Sequence, residues 1–336
     1  MSKLPVLVTG GAGYIGSHAV LALHDAGWSV VVADDLSNGR REAVPAGVPL
    51  VEVDVGDGPA MERVLAEHGI QAIMHFAGSI VVPESVADPH YYYRNNTVAS
   101  HALIGAALSA GVRHILFSST AATYGAPDTV PIDEDTPTRP INPYGHSKLM
   151  TEQMLRDCAA AYGFNYGALR YFNVAGADPQ GRSGQAGKGA THLLKVACEA
   201  AVGKRDHVDV FGTDYPTPDG TCIRDYIHVS DLASAHVLAL ESLIATPSES
   251  FTLNCGYGRG TSVLEMLDAL DRVNGTPVKR VMGERRAGDP PQLVASNRRL
   301  VERLGWTPRF ADTEVIIQSA LEWERRLLAQ KDPVCA

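Results

Sequence analysis

The sequence predicts an α/β protein: a doubly wound parallel sheet of Rossmann type with a smaller C-terminal α/β lobe. Three observations carry this. Short β-rich runs alternate with helical runs through the first 173 residues, the mark of βαβ units. The first run, 4–8, opens into Thr9-Gly10-Gly11-Ala12-Gly13-Tyr14-Ile15-Gly16 and then a helical pattern, which is the strand–turn–helix setting of a phosphate-binding loop. An acid, Asp34, closes the second run 18 residues beyond Gly16.

Taken in order, strands are expected at 6–8, 30–33, 50–53, 72–76, 114–118 and 167–171, and helices at 15–26, 58–67, 89–110 and 143–161. After Asn173 the pattern turns irregular. Gly and Pro cluster over 177–189 and 212–220, and loops of that length in a compact domain are usually functional. A helix over 229–243 is expected to return to the first lobe. The expected division is a dinucleotide-binding domain over 1–173, rejoined by a segment near 229–256, and a lobe formed mostly by 174–336 that holds substrate.

Hydrophobic content of 45% and charged content of 20% are those of a soluble globular chain. A net charge of -9 without a long basic run argues against nucleic acid as the main partner. No apolar stretch has the length of a membrane span, and because the N-terminus runs straight into a strand pattern no signal peptide is expected. Five cysteines, at 158, 198, 222, 255 and 335, show no Cys-x-x-Cys spacing. They fit reduced cytoplasmic thiols better than a disulfide frame or a zinc site, so no metal is expected.

The glycines Gly10, Gly13 and Gly16 allow a tight turn in which backbone N–H groups approach a pyrophosphate at a helix N-terminus. Asp34 can hold a ribose 2′-hydroxyl and would repel a 2′-phosphate, favouring NAD over NADP. Arg40 and Arg41 lie near enough to keep NADP as the lesser reading. Asp54 can reach adenine, or serve equally as a turn residue. Phe76-Ala77-Gly78 ends a strand with small residues over which a cofactor can lie. Ser118-Ser119-Thr120 ends the next one on the same edge, where the Thr120 hydroxyl serves either a substrate alcohol or the cap of the following turn.

Tyr144 and Lys148 are four apart on one helix face, behind an Asn142-Pro143 start signal. A free phenol, with a pKa of about 10, is a poor base at neutral pH. A nearby ammonium favours the phenolate, and such a pair can take a proton from an alcohol while a cofactor takes the hydride.

Together with His75-Phe76-Ala77-Gly78, Leu169-Arg170-Tyr171-Phe172-Asn173 and Arg224-Asp225-Tyr226-Ile227-His228-Val229, these motifs resemble those of the UDP-glucose 4-epimerases, extended short-chain dehydrogenase/reductases. The resemblance runs nearly end to end. It implies NAD as cofactor, a UDP-sugar substrate, a homodimer formed through the helices near 89–110 and 147–161, and Tyr144, Lys148 and Thr120 as catalytic residues. Thr120 replaces a serine of the best-known members. Lys148 is implied to hold the nicotinamide ribose and to depress the tyrosine pKa. The implied cofactor positions are Gly10, Gly13, Tyr14, Ile15, Gly16, Asp34, Asp54, Val55, Phe76, Ala77, Gly78, Asn95, Ser118, Tyr144, Lys148 and Tyr171. The implied substrate positions are Thr120, Tyr144, Asn173, Leu193, Phe211, Arg224, Arg286 and Asp289.

Three departures stand out. Ser79-Ile80 occupies the place of a cofactor-side lysine, His192 replaces an asparagine, and Leu293 stands where a tyrosine or a smaller residue governs room for an N-acetyl group. Epimerisation of UDP-pentoses or UDP-N-acetylhexosamines is the alternative, and a non-catalytic NAD-binding protein is a remote one. Ala121-Ala122 lacks the Asp-Glu pair that a 4,6-dehydratase would carry.

Overall fold

The computed structural model describes residues 3–187, 191–286 and 289–331. Cys335 and the end of the expected 177–189 loop lie outside them. The first unit contains β1 (Val6–Thr9), α1 (Tyr14–Asp25), β2 (Val30–Asp34), β3 (Leu50–Glu52), α2 (Gly58–Glu67) and β4 (Ala72–His75). Next come α3 (Val82–Ala87), α4 (Pro89–Tyr92), α5 (Ala99–Ser109), β5 (His114–Thr120), α6 (Pro143–Tyr162) and β6 (Asn165–Tyr171). The chain then leaves the sheet through β7 (Asn173–Ala175), α7 (Leu193–Ala201), β8 (Val208–Phe211) and β9 (Ile223–His228). It returns as α8 (Val229–Ala245) and β10 (Phe251–Cys255), and leaves again through β11 (Gly260–Ser262), α9 (Val263–Asn274), β12 (Arg280–Gly283) and β13 (Gln292–Leu293). Two helices, α10 (Arg298–Leu304) and α11 (Thr313–Lys331), follow.

The main sheet has seven parallel strands in the order β10-β6-β5-β4-β1-β2-β3. Its central strands are apolar on both faces, as parallel strands covered by helices must be. Val6, Val8 and Met74 pack on one face with α1 and α8. Leu7, Ile73, Ile115 and Phe117 pack on the other with α2, α5 and α6. A third core, built from α7, α9 and α11, belongs to the remaining elements. There β9 pairs with β7, β11 and β13, and β8 pairs with β12.

Local signals set the ends of α6. Asn142 Oδ1 accepts from the Gly145 N–H at 2.9 Å, Pro143 fills the first turn, and Gly163 stops the helix in the left-handed region at φ 73°. The continuous helix expected over 89–110 is instead broken: α4 and α5 are joined by a π-helical segment, Tyr93–Val98. Side-chain bonding accounts for it. Consecutive residues of a regular helix point about 100° apart, yet Asn95 and Asn96 both bond Ser79. The widened turn brings both amides to one place. Such bulges are frequent at functional sites.

Candidate active site

The loop after β1 is built from backbone alone. A Cβ on Gly16 would lie 2.1 Å from the Gly10 carbonyl oxygen, and one on Gly10, at φ +67°, would lie 2.6 Å from the Ala77 nitrogen. No side chain fits between the turn and the end of β4, so the N-terminus of α1 stays open to a phosphate. That is the fit a dinucleotide requires. Asp34 sits at the tip of β2, where its Oδ2 accepts from the Ala12 N–H and its Oδ1 from the Leu36 N–H, each at 2.9 Å. The carboxyl thus fastens the glycine turn, and burial raises its pKa against those two donors.

The other expected cofactor positions are divided. Phe76, Ala77 and Gly78 follow β4 beside Gly10. Asn95 donates to Ser79 Oγ at 2.9 Å, so Ser79 is held by the π segment. Val55 is buried, whereas Asp54 is exposed and its Oδ1 accepts from the Gly56 N–H at 2.8 Å, the turn role weighed for it. Ile15 packs against the core beneath the loop. The Tyr14 phenol points elsewhere: it donates to the Gly176 carbonyl at 2.7 Å, tying the loop to the segment after β7.

At the carboxyl ends of β5 and β6 the hydroxyls converge. Ser118 Oγ is hydrogen-bonded to the Tyr171 phenol. Thr120 Oγ1 accepts from the Ala122 N–H at 3.1 Å, capping a 3₁₀ turn over Ala121–Tyr124, and a Cβ on Gly145, next to Tyr144, would lie 2.5 Å from the Ala122 carbonyl oxygen of that turn. Of the two roles considered for Thr120, the cap is the one seen here. Lys148 Nζ donates to the Ser118 carbonyl at 3.1 Å and lies 5.0 Å from the centre of the Phe117 ring. Tyr144 and Lys148 are both buried. Burial raises the Tyr144 pKa, with the Thr120 hydroxyl opposing, and burial lowers Lys148 to about 8. The fold's own groups therefore strike the opposite balance from the depression expected of Lys148. A low-polarity site disfavours both charged forms.

A second polar chain lies behind these groups. Thr9 Oγ1 meets His75 Nδ1 at 2.7 Å, His75 Nε2 meets Ser100 Oγ at 2.9 Å, and Ser100 donates to the Asn96 carbonyl. With Ser100 donating onward, His75 carries its proton on Nε2 and accepts from Thr9. Burial first, then Lys148, pushes its pKa down to about 3, so the ring is neutral. Asn96 also donates to Ser147 Oγ at 3.0 Å, joining the Ser79 turn to α6. His75 lay inside a quoted motif, but nothing in the sequence singled out Asn96 or Ser147.

Across the cleft the expected substrate positions form two groups. Asn173 and Leu193 line one cavity with Gln185, His192, Lys195 and Tyr226. Phe211, Arg224, Arg286 and Asp289 form the other. The Arg286 guanidinium lies 4.9 Å from the Phe211 ring centre and its Nε donates to Asp289 Oδ2 at 2.9 Å, while Arg224 Nη2 stands 3.9 Å from Asp289 Oδ1. Tyr226 joins the groups. It is the register partner of Asn173, and Arg224 and Arg286 both pull down its pKa, which burial raises to about 12. Leu293 pairs with Arg224 and packs on the cluster containing Phe172, Tyr124 and Ile132. His192 is held neutral by burial and its Nδ1 lies 3.1 Å from the Gln185 amide. Four cysteines, 158, 198, 222 and 255, are free thiols, no cluster suited to a metal occurs among the described residues, and none of their helices is long and apolar enough to cross a membrane.

A family model described as the NAD dependent epimerase/dehydratase family matches residues 6–256. The chain belongs to this family. A UDP-glucose 4-epimerase of Azospirillum brasilense is 62% identical over 322 residues, covering 96% of this chain and 92% of the relative. Among solved structures, the UDP-glucose 4-epimerase of Brucella ovis in complex with NAD superposes with a TM-score of 0.92 at 45% identity, covering 95% of this chain and 98% of that one. A UDP-glucose 4-epimerase of Stenotrophomonas maltophila, with bound NAD and formylated UDP-arabinopyranose, gives a TM-score of 0.94 at 39% identity, covering 98% and 100%. The family match ends at Gly256, so Arg286, Asp289 and Leu293 fall beyond it but within the span of the full-length relatives.

Proposed function

We propose that the protein interconverts UDP-glucose and UDP-galactose through a 4-keto intermediate, with NAD as a retained cofactor. The observation that carries this reading is the buried Tyr144 phenol, one turn from Lys148 on the helix whose start packs against the turn that Thr120 caps, together with an arginine group fit for a diphosphate. Bound NAD would supply the acceptor for the C4 hydride of the sugar and the donor that gives it back to the opposite face. The Gly10–Gly16 turn and Asp34 would hold the dinucleotide, with Lys148 and Tyr171 at the catalytic end of the site. Tyr144, as phenolate, takes the O4 proton, directly or through Thr120, and returns it in the second half of the cycle. Arg224 and Arg286 anchor the diphosphate, and Phe211 packs on the uracil. Binding energy from the remote nucleotide then positions the reacting carbon while the hexose stays free to turn.

On this reading the seven-stranded unit over 1–173 and 229–256 is the NAD lobe and most of 174–336 is the nucleotide-sugar lobe. The four free thiols support a reducing compartment, the cytoplasm. Val98 and Met150, on neighbouring helices and 59% and 39% exposed, support a homodimer through α5 and α6, to be checked by light scattering. Leu293 beside Arg224 keeps pentose and N-acetylated UDP-sugars as a second reading.

The test is incubation with UDP-galactose without added NAD, followed by chromatography for UDP-glucose. The expected result is an equilibrium mixture. No conversion, even with NAD supplied, rejects this substrate and sends the assay to the pentose and N-acetylated sugars. Inactivity on all of them favours a non-catalytic binding protein.

A further inference from the structure

Behind the catalytic residues, β5 and β6 carry a second and separate set of buried polar groups. Ser119 and Arg170 are register partners, so they share a face of the sheet, and both converge on Glu152 of α6. Ser119 Oγ donates to Glu152 Oε1. Arg170 Nε donates to the same oxygen at 2.9 Å and Nη2 to the other, a bidentate pair. All three side chains are buried, with Arg170 at 7% exposure and Glu152 at 6%. Tyr144, Lys148 and Glu152 follow one another at intervals of four along α6, which is one stripe of the helix.

The network runs on from the pair. Arg170 Nη1 donates to the Tyr124 phenol at 3.0 Å, Tyr124 donates to Asn254 Oδ1 at 2.7 Å, and Asn254 Nδ2 donates to the Ile132 carbonyl at 2.9 Å. Tyr124 closes the 3₁₀ turn that Thr120 caps, and the Ile132 N–H donates to Val294, next to Leu293, at 2.8 Å. This buried pair is therefore connected to the helix carrying Tyr144, the turn carrying Thr120 and the wall carrying Leu293. Buried ion pairs add little net stability over a well-packed apolar substitute, whereas a fixed bidentate geometry holds two elements at one height.

We infer that Glu152 and Arg170, with Ser119, are positioning residues of the epimerisation: they pin the lower end of the Tyr144–Lys148 stripe to β5 and β6, so that Tyr144 is held at the end of β5 that carries Thr120. This rests on the reaction proposed above. The three lie a layer behind the reacting groups and act through them.

The test compares wild type, Arg170→Lys and Ser119→Ala as purified with their NAD. Arg170→Lys should lower kcat on UDP-galactose about 10–100-fold, as a small misplacement of a catalytic group does, with KM, NAD content and melting temperature near wild type. Ser119→Ala, which leaves the ion pair intact, should lower kcat several-fold. A second readout needs no turnover. The ionisation of Tyr144, read by near-UV difference absorbance against Tyr144→Phe, should move to higher pH in Arg170→Lys, because the Thr120 hydroxyl opposes the rise in that pKa. A wild type inactive on UDP-galactose defeats the reaction, while the titration still decides the positioning role. Unchanged kcat and an unmoved titration overturn the inference, as does a joint fall of kcat, substrate affinity and melting temperature, which marks general loosening. Should Arg170→Lys fail to fold, Ser119→Ala decides by the same criteria.

Discussion

The two ends of the candidate site are built in opposite ways. Around Tyr144 the polar side chains are buried and bonded: Thr120 to a backbone N–H, Ser118 to Tyr171, Lys148 to a carbonyl, His75 between two hydroxyls. Around Arg286 the groups are half open to water. Phe211 is 40% exposed, and Arg286 is held by one carboxylate and one ring face. Exposed ion pairs contribute little, about 0–1 kcal/mol, so Arg286 can exchange Asp289 for phosphate oxygens at small cost. Buried groups cannot rearrange so cheaply. On the proposed reading, the fold sets the geometry of the chemistry in advance and leaves the nucleotide to organise its own anchor.

The largest effect should come from the dry end. Tyr144→Phe should reduce kcat by about 10²–10⁴-fold, the usual worth of a positioned acid–base, with substrate KM and melting temperature near wild type. Near-normal turnover would dissolve the distinction. At the wet end, Arg224→Ala should instead raise KM for UDP-galactose by about 10–100-fold, the range of a charge-assisted hydrogen bond, and Arg286→Ala by less because it is more exposed. A loss confined to kcat would place the arginines with the chemistry.

A third measurement probes the dryness itself. The folded-state pKa of Lys148 is lowered to about 8 from 10.5. Between those values the unfolded chain binds the extra proton, so stability rises with pH, and below about 8 the burial penalty is fully present. Lys148→Met should be more stable than wild type by about 1–3 kcal/mol below pH 8, and the advantage should fade toward pH 10.5 in denaturant unfolding. An advantage independent of pH would mean that the lysine is hydrated. The smallest effect is expected at Leu293, between the two ends. Leu293→Ala should improve activity on UDP-N-acetylglucosamine relative to UDP-glucose by about tenfold, the scale of a few methylenes in a pocket, in a competition assay.

The contrast also explains what could be read from the sequence. The glycine turn, Asp34 at a strand end and the Asn142-Pro143 cap are local signals, and the structure has each where the pattern put it. The break at Tyr93–Val98 was not legible, because its cause is a tertiary bond between two amides and Ser79. Arg170 sat inside a quoted motif without a task, and Glu152 looks like any charge on a helix. Only the register of β5 against β6 brings them together. The site fell the same way. Phe211, Arg224, Arg286 and Asp289 do gather, but the Tyr14 phenol turned to Gly176 because a sequence does not show which lobe a side chain will face.

The route of the chain has a mechanical consequence. Between β6 and its sheet neighbour β10, the polypeptide runs out through β7, α7, β8 and β9 and back through α8, and after β10 it leaves again before α10 packs against that strand. The two bodies are laced by several strands of chain, like a book sewn along its spine. A single tether would let the covers swing wide and empty the fold between them. On the proposed reading, a sewn spine permits only a narrow gape, so an extended guest would leave by threading out or by unpicking a stitch.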